Sequence, residues 1–396
     1  MSLTEPPPLR AASPIERWAL DPQVVHLNHG SFGGCPRAVL DAAAAWRARL
    51  EASPMRFVML EWQAELDRAR DALAAFVRAP ASQLAFVPSS TTGVAIALHS
   101  LELAAGDEVL VTDHGYRACR NQLERLAAAR GLRIATVAIA LPFDPAAFAE
   151  SILRAITPAT KAVLLDHITS PTALRFPIEQ LVPALAARGL ITIIDGAHAP
   201  GQLDLDVGAI GATYYVGNCH KWMCAPKGSG FLVVAEGART VPVVTSHGAS
   251  PDYGPANRLH AELDWNGTHD PSARLAVPAT IAAVAAEGGG WPAIFARNHA
   301  LVTEMRRRFI AALGRTQAPV LAPDASLGAM AAIRVALPPN TSAFALEHAL
   351  LVDGWEVPVI PFESGALVRI SAHLYNHAGE ADELARELHV RGIRLA

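Results

Sequence analysis

Cysteine is scarce in this chain. Four are spread over 396 residues, Cys35, Cys119, Cys219 and Cys224, with no CxxC pair among them. A chain this long has no need of disulfide staples, so a reducing, cytoplasmic setting is expected. A basic excess is also missing. Lys and Arg number 33 against 37 Asp and Glu, a formal net charge of -4. That excludes the electrostatic footprint of a nucleic-acid binder. No apolar run approaches the roughly 20 residues that cross a bilayer, so no membrane partner is expected. The opening MSLTEPPPLRAASP has no apolar segment of the secretory kind, and its prolines predict a loose, flexible leader over residues 1–20. Repeats and low-complexity tracts are absent as well.

What is present is apolar. The chain is 51% hydrophobic and 18% charged, the balance of a well-packed globule. Its length predicts more than one core. From about residue 82, short Val/Ile/Leu-rich runs alternate with helical stretches. QLAFVP (83–88), EVLVT (108–112), LRIATVAI (132–139), TKAVLLDHITS (160–170), LITIIDGAHAPG (190–201), TYYVGN (213–218) and GSGFLVV (228–234) read as seven strands. Buried parallel strands have this near-continuous apolar texture. Strands joined by helices predict an α/β class with a mostly parallel, doubly wound seven-stranded sheet. Helices are expected at 37–50 and 60–78 before it. Beyond 290 the texture changes to long amphipathic helices (298–314 and 381–392) with strand-like AMAAIRVALP and ALVRISAHLY. The expected division is an N-terminal segment with a large domain over 21–290, and a smaller α+β domain over 291–396.

The stretch 213–234 stands out. Lys221 sits in the turn between two strands that both look buried. Burial penalises a charged amine, whose ordinary pKa is about 10.4. Such a lysine either points to water or acts as a neutral amine or Schiff base. In open α/β sheets, ligands sit outside the carboxyl ends of the strands. Polar residues gather at those ends here. Ser90, Thr91 and Thr92 begin a helix, where free amides and the dipole suit a phosphate. They could equally be plain caps. His114 and Tyr116 follow a second strand, and Tyr116 could stack on a flat ring or simply fill the core. Thr169 and Ser170 end a third. Asp195 ends a fourth, with His198 after it; a buried carboxylate needs a cationic or hydrogen-bonding partner. Asp195 could otherwise cap the next turn, and His198 could satisfy a backbone carbonyl. HLNHGSFGGCP (26–36) is either an ordinary entry loop or a close backbone approach allowed by Gly30, Gly33 and Gly34. A phosphate cradle, a ring stacker, an aspartate and a lysine together describe a site for pyridoxal 5′-phosphate. No metal site is expected.

The segments DHITSPTALRFPI, DGAHAPG, GNCHKWMCAPKGSGFL, NGTHDPSA and VRISAHLYN resemble the class V aminotransferase family of fold type I, and within it the isopenicillin N epimerase-like group. The likeness covers nearly the whole chain. It implies that Lys221 forms the Schiff base and shuttles the proton, that Asp195 pairs with the ring nitrogen, and that His198 lies near the ring hydroxyl. Ser90, Thr91 and Thr92 would hold the phosphate, with Asn218 and His220 as further candidates. Tyr116 matches the ring-stacking position, with His114 as the competing assignment. Ser170 would lie near the ring hydroxyl or substrate. Arg369 would grip the substrate α-carboxylate, with Arg56 the next candidate, and Asn28 and His29 would line the substrate pocket. Thr268 would reach the phosphate of a second subunit, which implies a homodimer with shared sites. His269 stands where relatives carry arginine. The activity implied is chemistry at an amino-acid α-carbon through an external aldimine: epimerisation, transamination or, as the alternative, C–S β-elimination. A desulfurase is not expected, because no cysteine follows residue 224. A noncatalytic cofactor-binding protein would have no use for a carboxylate clamp.

Overall fold

A computed structural model describes residues 14–314 and 320–396. Seven strands form the main sheet: β1 (Leu84–Val87), β2 (Glu108–Thr112), β3 (Arg133–Val137), β4 (Thr160–Asp166), β5 (Ile191–Gly196), β6 (Tyr214–Asn218) and β7 (Gly230–Val234). Their order is β1-β7-β6-β5-β4-β2-β3. Only β7 runs antiparallel to its neighbours, pairing with both β1 and β6. All seven coincide with strands expected from the apolar runs.

Alternation along the strands divides the core. Tyr214, Val216 and Val234 pack on one face with Val94, Leu123 and Leu126. Those last three belong to α1 (Ser90–Ser100) and α2 (Arg117–Arg130). Tyr215, Phe231 and Leu165 pack on the other face, in a cluster that runs on into the C-terminal part of the chain. Both faces are therefore covered, as a parallel sheet requires. The carboxyl ends of β1, β2, β4, β5 and β6 open at one edge, and the polar residues gather there.

The C-terminal part carries a four-stranded antiparallel sheet. Its strands are β8 (Met330–Ala336), β9 (Val359–Phe362), β10 (Gly365–Ser371) and β11 (Arg394–Leu395), in the order β9-β10-β8-β11. The helices Trp291–Ala312 and Gly379–Val390 accompany it, as their amphipathic patterns predict. Three short elements carried no clear signal: the helix Ala343–Val352, β9, and the strand Trp355–Glu356. Among the described residues no helix is long and apolar enough to cross a membrane.

Two boundaries differ from expectation. Residues 1–13 of the expected leader lie outside the described residues. The rest of it is ordered: Ile15–Arg17 makes a helical turn, and Trp18 is 0% exposed. Its ring meets His373 and Tyr375 edge-on at 5.3 and 5.0 Å. The next segment, Val25–His26, pairs in parallel with Trp355–Glu356. The beginning of the stretch 21–290 thus packs on the C-terminal part. A short leader rich in proline gives no periodicity from which a buried tryptophan could be inferred.

Trp18→Ala should cost about 3–5 kcal/mol of stability, the usual range for emptying a buried aromatic site. Denaturant unfolding of the two proteins measures it, and a loss under about 1 kcal/mol would contradict this packing.

Candidate active site

Lys221 follows β6 directly, and the turn that carries it is gripped from both sides. The Lys221 carbonyl accepts from the Cys224 amide (2.9 Å) and faces His29 Nε2 at 3.1 Å. Gly201, at φ +85°, passes so close that a Cβ would lie 2.4 Å from the Trp222 carbonyl carbon. Gly33, at φ +73°, crosses on the other side, where a Cβ would lie 2.2 Å from the His220 oxygen. Close backbone approach is thus one real reason for the glycines of the entry loop.

The Lys221 amine lies 3.2 Å from His198 Nε2. The Trp222 indole N–H donates to His198 Nδ1 at 3.3 Å. With Nδ1 accepting, a neutral His198 carries its proton on Nε2 and offers it to the amine. The amine can accept that bond only after it has lost its proton. Burial lowers Lys221 to about 8, with Arg369 adding to the effect and Asp195 opposing it. Burial also holds His198 neutral, well below the usual histidine range.

Asp195, at the end of β5, is buried. Its Oδ1 accepts the Ala197 amide at 3.0 Å, and its Oδ2 accepts the Cys119 thiol at 3.3 Å. Burial raises its carboxyl, and these donors and Lys221 pull it back. Asn218 ties β6 to α1: its Oδ1 accepts the Ser90 amide (2.8 Å) and its Nδ2 donates to Ser90 Oγ (3.0 Å). Ser89, one residue before, caps the helix by accepting the Thr92 amide. His220 faces the Ser229 carbonyl with Nδ1 at 2.8 Å, and burial lowers it to about 4.

These groups converge on a pocket of about 150 Å³. Of the expected residues, Ser90, Thr91, Tyr116, Ser170, Asp195, His198, Asn218, His220 and Lys221 line it. Ser31, Phe32, Ser89, Asp166 and Ala197 line it too; they fall within or beside the marked stretches, but none is singled out there. Larger hollows elsewhere, such as one of about 480 Å³ beside Arg258 and Glu262, show no such convergence. Thr92 is turned toward Ser89, its Oγ1 lying 3.4 Å from Ser89 Oγ. Of the two candidate stackers, Tyr116 is on the wall. His114 turns away to bond Thr172 Oγ1 at 2.9 Å and lines a different cavity with Phe362 and Arg334.

Arg369 is 2% exposed. It donates through Nη1 to the Ser170 carbonyl and to Ser170 Oγ (3.2 Å). Through Nη2 it donates to Ser31 Oγ (3.0 Å) and Asn28 Oδ1 (3.3 Å). Its Nε has no acceptor. Burial lowers it to about 10, the sign of a cation without a close counter-ion. Arg56 is exposed and pairs with Glu61 at 3.4 Å, away from this wall. Asn28 therefore meets the clamp. His29 does not line the pocket; it lies beneath it, stacked on His373 at 4.0 Å and bonded to the Tyr375 hydroxyl at 2.9 Å. His29, His373 and Cys224 bring ligand atoms within 4.8 Å of one another. The two rings are stacked at 14°, so their nitrogens run side by side, and each Nε2 also faces a backbone carbonyl. The trio is packing. Thr268 lies exposed on a turn, and His269 packs edge-on against Trp62 at 5.7 Å.

The donor set fits pyridoxal 5′-phosphate: helix amides and hydroxyls for a phosphate, a buried carboxylate for a protonated ring nitrogen, and a neutral amine for the aldehyde. The lowered Lys221 has a consequence in the apoprotein. A lysine depressed to about 8 in the folded state and near 10.4 when unfolded binds fewer protons folded, so stability rises with pH across that window. Apoprotein Lys221→Met should therefore be the more stable below pH 8, by up to about 3 kcal/mol. The gap should close as pH climbs to about 10; melting curves of both proteins that run parallel with pH would contradict the buried amine.

The profile of the family described as "Aminotransferase class-V" matches residues 34–309. An isopenicillin N epimerase of Streptomyces clavuligerus is 37% identical over 390 residues, covering 94% of this chain and 96% of its own. A putative L-cysteine desulfhydrase of Oryza sativa subsp. japonica is 34% identical over 310 residues, 74% of this chain and 63% of its own. Among solved structures, a variant of the lyase C-DES with glycine covalently linked to its PLP cofactor superposes with a TM-score of 0.79 at 20% identity, over 95% of this chain and 98% of that one. The last likeness concerns the fold, which is fold type I. The cofactor is pyridoxal 5′-phosphate, and this chain belongs to the class-V aminotransferase family.

Proposed function

We propose that this chain acts at the α-carbon of an amino acid, in the manner of the isopenicillin N epimerase-like group. The observation that carries this reading is Arg369. A buried guanidinium that touches no carboxylate is costly, with Glu347 offsetting its burial only in part, and a substrate α-carboxylate would complete it. The Ser170, Ser31 and Asn28 oxygens hold its plane, and the free Nε leaves donor capacity for an incoming acid. Ser170 and Ser31, which Arg369 bonds, line the pocket that also holds Lys221, so an amino acid anchored at Arg369 would reach toward that amine.

Ser90, Thr91 and the amides that open α1 would take the phosphate, with Asn218 and His220 fixing that end. Asp195 would hold the ring nitrogen, Tyr116 would cover the ring, and His198 and Ser170 would lie toward its hydroxyl side. When bound, the cofactor supplies an electron sink for the carbanion formed at the α-carbon. Lys221 would carry the cofactor and then, as a free amine, move the α-proton. Its lowered pKa suits a base working near neutrality. His198 would orient that amine.

Return of the proton to the other face gives epimerisation. The full-length likeness to an isopenicillin N epimerase supports that outcome. Loss of a β-thiol gives C–S β-elimination, which the likeness to a putative L-cysteine desulfhydrase supports as the second reading. Thr268 on its exposed turn, with Phe32, Met55, Met59 and Leu60 exposed nearby in sequence to the pocket loop, supports a homodimer in which Thr268 reaches the partner's phosphate. Four free cysteines, all buried, support a cytoplasmic location.

Borohydride reduction of the purified protein should fix the cofactor on Lys221; a peptide map with the adduct on Lys227 or Lys161 would contradict the site. A panel of L- and D-amino acids, assayed for α-proton exchange, inversion, pyruvate and ammonia, separates the outcomes. Inversion without pyruvate is expected; pyruvate with sulfide from cysteine would make elimination the activity.

Arg369→Lys should weaken amino-acid binding by about 2–5 kcal/mol, because an ammonium cannot hold the Ser170, Ser31 and Asn28 oxygens and still donate to an incoming acid as the guanidinium can. The cofactor should stay attached. Thr268→Ala should do the reverse, losing cofactor on dialysis while keeping substrate affinity. An Arg369→Lys protein that sheds cofactor and binds substrate normally would overturn the assignment.

A further inference from the structure

Asp166 ends β4, and its register partner on the neighbouring parallel strand is Asp195. Register partners send their side chains to the same face of the sheet, from strands about 4.8 Å apart. Both are buried, and both line the Lys221 pocket. They also share a narrow recess beneath Tyr116, walled by Thr112, Gly115 and Cys119. This places two acids side by side in one site.

The groups facing the pair are few. From β5 comes Asp195 itself, and from α2 the Cys119 thiol, already donated to Asp195 Oδ2. From the turn after β6 comes the Lys221 amine. Arg120 borders the recess, but its guanidinium is engaged by Glu124 and Thr136. The backbone amides of Asp166 itself and of Tyr116 point at the Asp166 carboxyl and favour its anion, but less than burial and the charge of Asp195 oppose it. His167, the next residue of the chain, turns away to the Tyr215 hydroxyl. Two carboxylates in one dry recess with so little cationic help cannot both ionise. Asp195 is the better anion: it accepts an amide and a thiol, and a protonated ring nitrogen would add a third donor.

We propose that Asp166 is a positioning residue of the cofactor site, protonated at neutral pH, so that the pair holds one negative charge and that charge rests on Asp195. Burial and the charge of Asp195 both push the Asp166 carboxyl well above the usual carboxylate range. Its proton spares Asp195 a like-charged neighbour, and the ring nitrogen meets a single, fixed anion. The consequence for the cofactor rests on the function proposed above; the protonation belongs to the apoprotein.

The test uses Asp166→Asn, which replaces a neutral acid by a neutral amide of the same shape. The infrared difference spectrum of the apoproteins at pH 7, wild type minus variant, should show the C=O band of a protonated carboxyl; carboxylate bands in its place would overturn the proposal. Wild type labelled with 13C-aspartate and titrated gives the same readout should the variant not fold. A carboxyl raised in the folded state binds a proton that the unfolded chain has lost, so stability falls as pH rises above about 4. The melting temperature of wild-type apoprotein should therefore drop relative to Asp166→Asn over that range, and parallel curves would overturn the proposal. With cofactor bound, the absorbance of the variant should titrate at the wild-type midpoint, whereas a displaced midpoint would mean that a charge had been removed. Failure of these measurements leaves the attachment at Lys221 untouched, and failure of that attachment leaves the apoprotein readouts valid.

Discussion

The partly buried Lys221 amine is the constraint on which the rest of the site depends. Burial weakens its ammonium form, and the neutral form so favoured needs a donor. His198 supplies it, and Trp222 fixes the tautomer of His198 from the residue next to the lysine itself. Beneath the turn, His29 holds the Lys221 carbonyl, and His373 and Tyr375 hold His29. Trp18 closes that layer from the N-terminal segment. The geometry of one amine therefore draws on residues from the first twenty to the last twenty-five of the chain.

The charges of the pocket follow from the same burial. Arg369 and Lys221 are both lowered by burial, and Arg369 pushes Lys221 lower. Asp195 restrains this only in part. An anion arriving at Arg369 removes that push, so carboxylate binding and the proton on Lys221 are coupled by simple electrostatics. Such coupling would suit the role proposed for Lys221, which takes up a proton only after the substrate carboxylate is bound. Arg369 is held by neutral oxygens; a protein carboxylate beside it would relieve its burial but occupy the place proposed for a substrate acid.

The C-terminal part contributes Arg369 from β10, while Lys221 and Asp195 come from the main sheet. Asn28 and Ser31, from the entry loop, meet Arg369 between them. Parallel pairing of Val25–His26 with Trp355–Glu356 brings the two ends of the chain together and sets that loop against the clamp.

The fold was largely legible in the sequence. Seven apolar runs between helical stretches determined the sheet, and polar residues at the strand ends, Lys221 and Asp195 among them, pointed to the edge where one pocket gathers them. Local pattern carries that information, because strand burial and strand termini are local properties. The tertiary structure alone decided the rest. Register across β4 and β5 brought Asp166 beside Asp195, and Asp166 looked in sequence like the polar end of one more strand. Backbone direction after β2 put Tyr116 on the pocket wall and turned His114 into a different cavity, a choice that two residues in one loop cannot disclose. His29, expected on the pocket wall, became a support beneath it, because its neighbours His373 and Tyr375 come from more than 340 residues away. Contacts between distant parts of a chain depend on how whole elements pack, and no short stretch of sequence contains them.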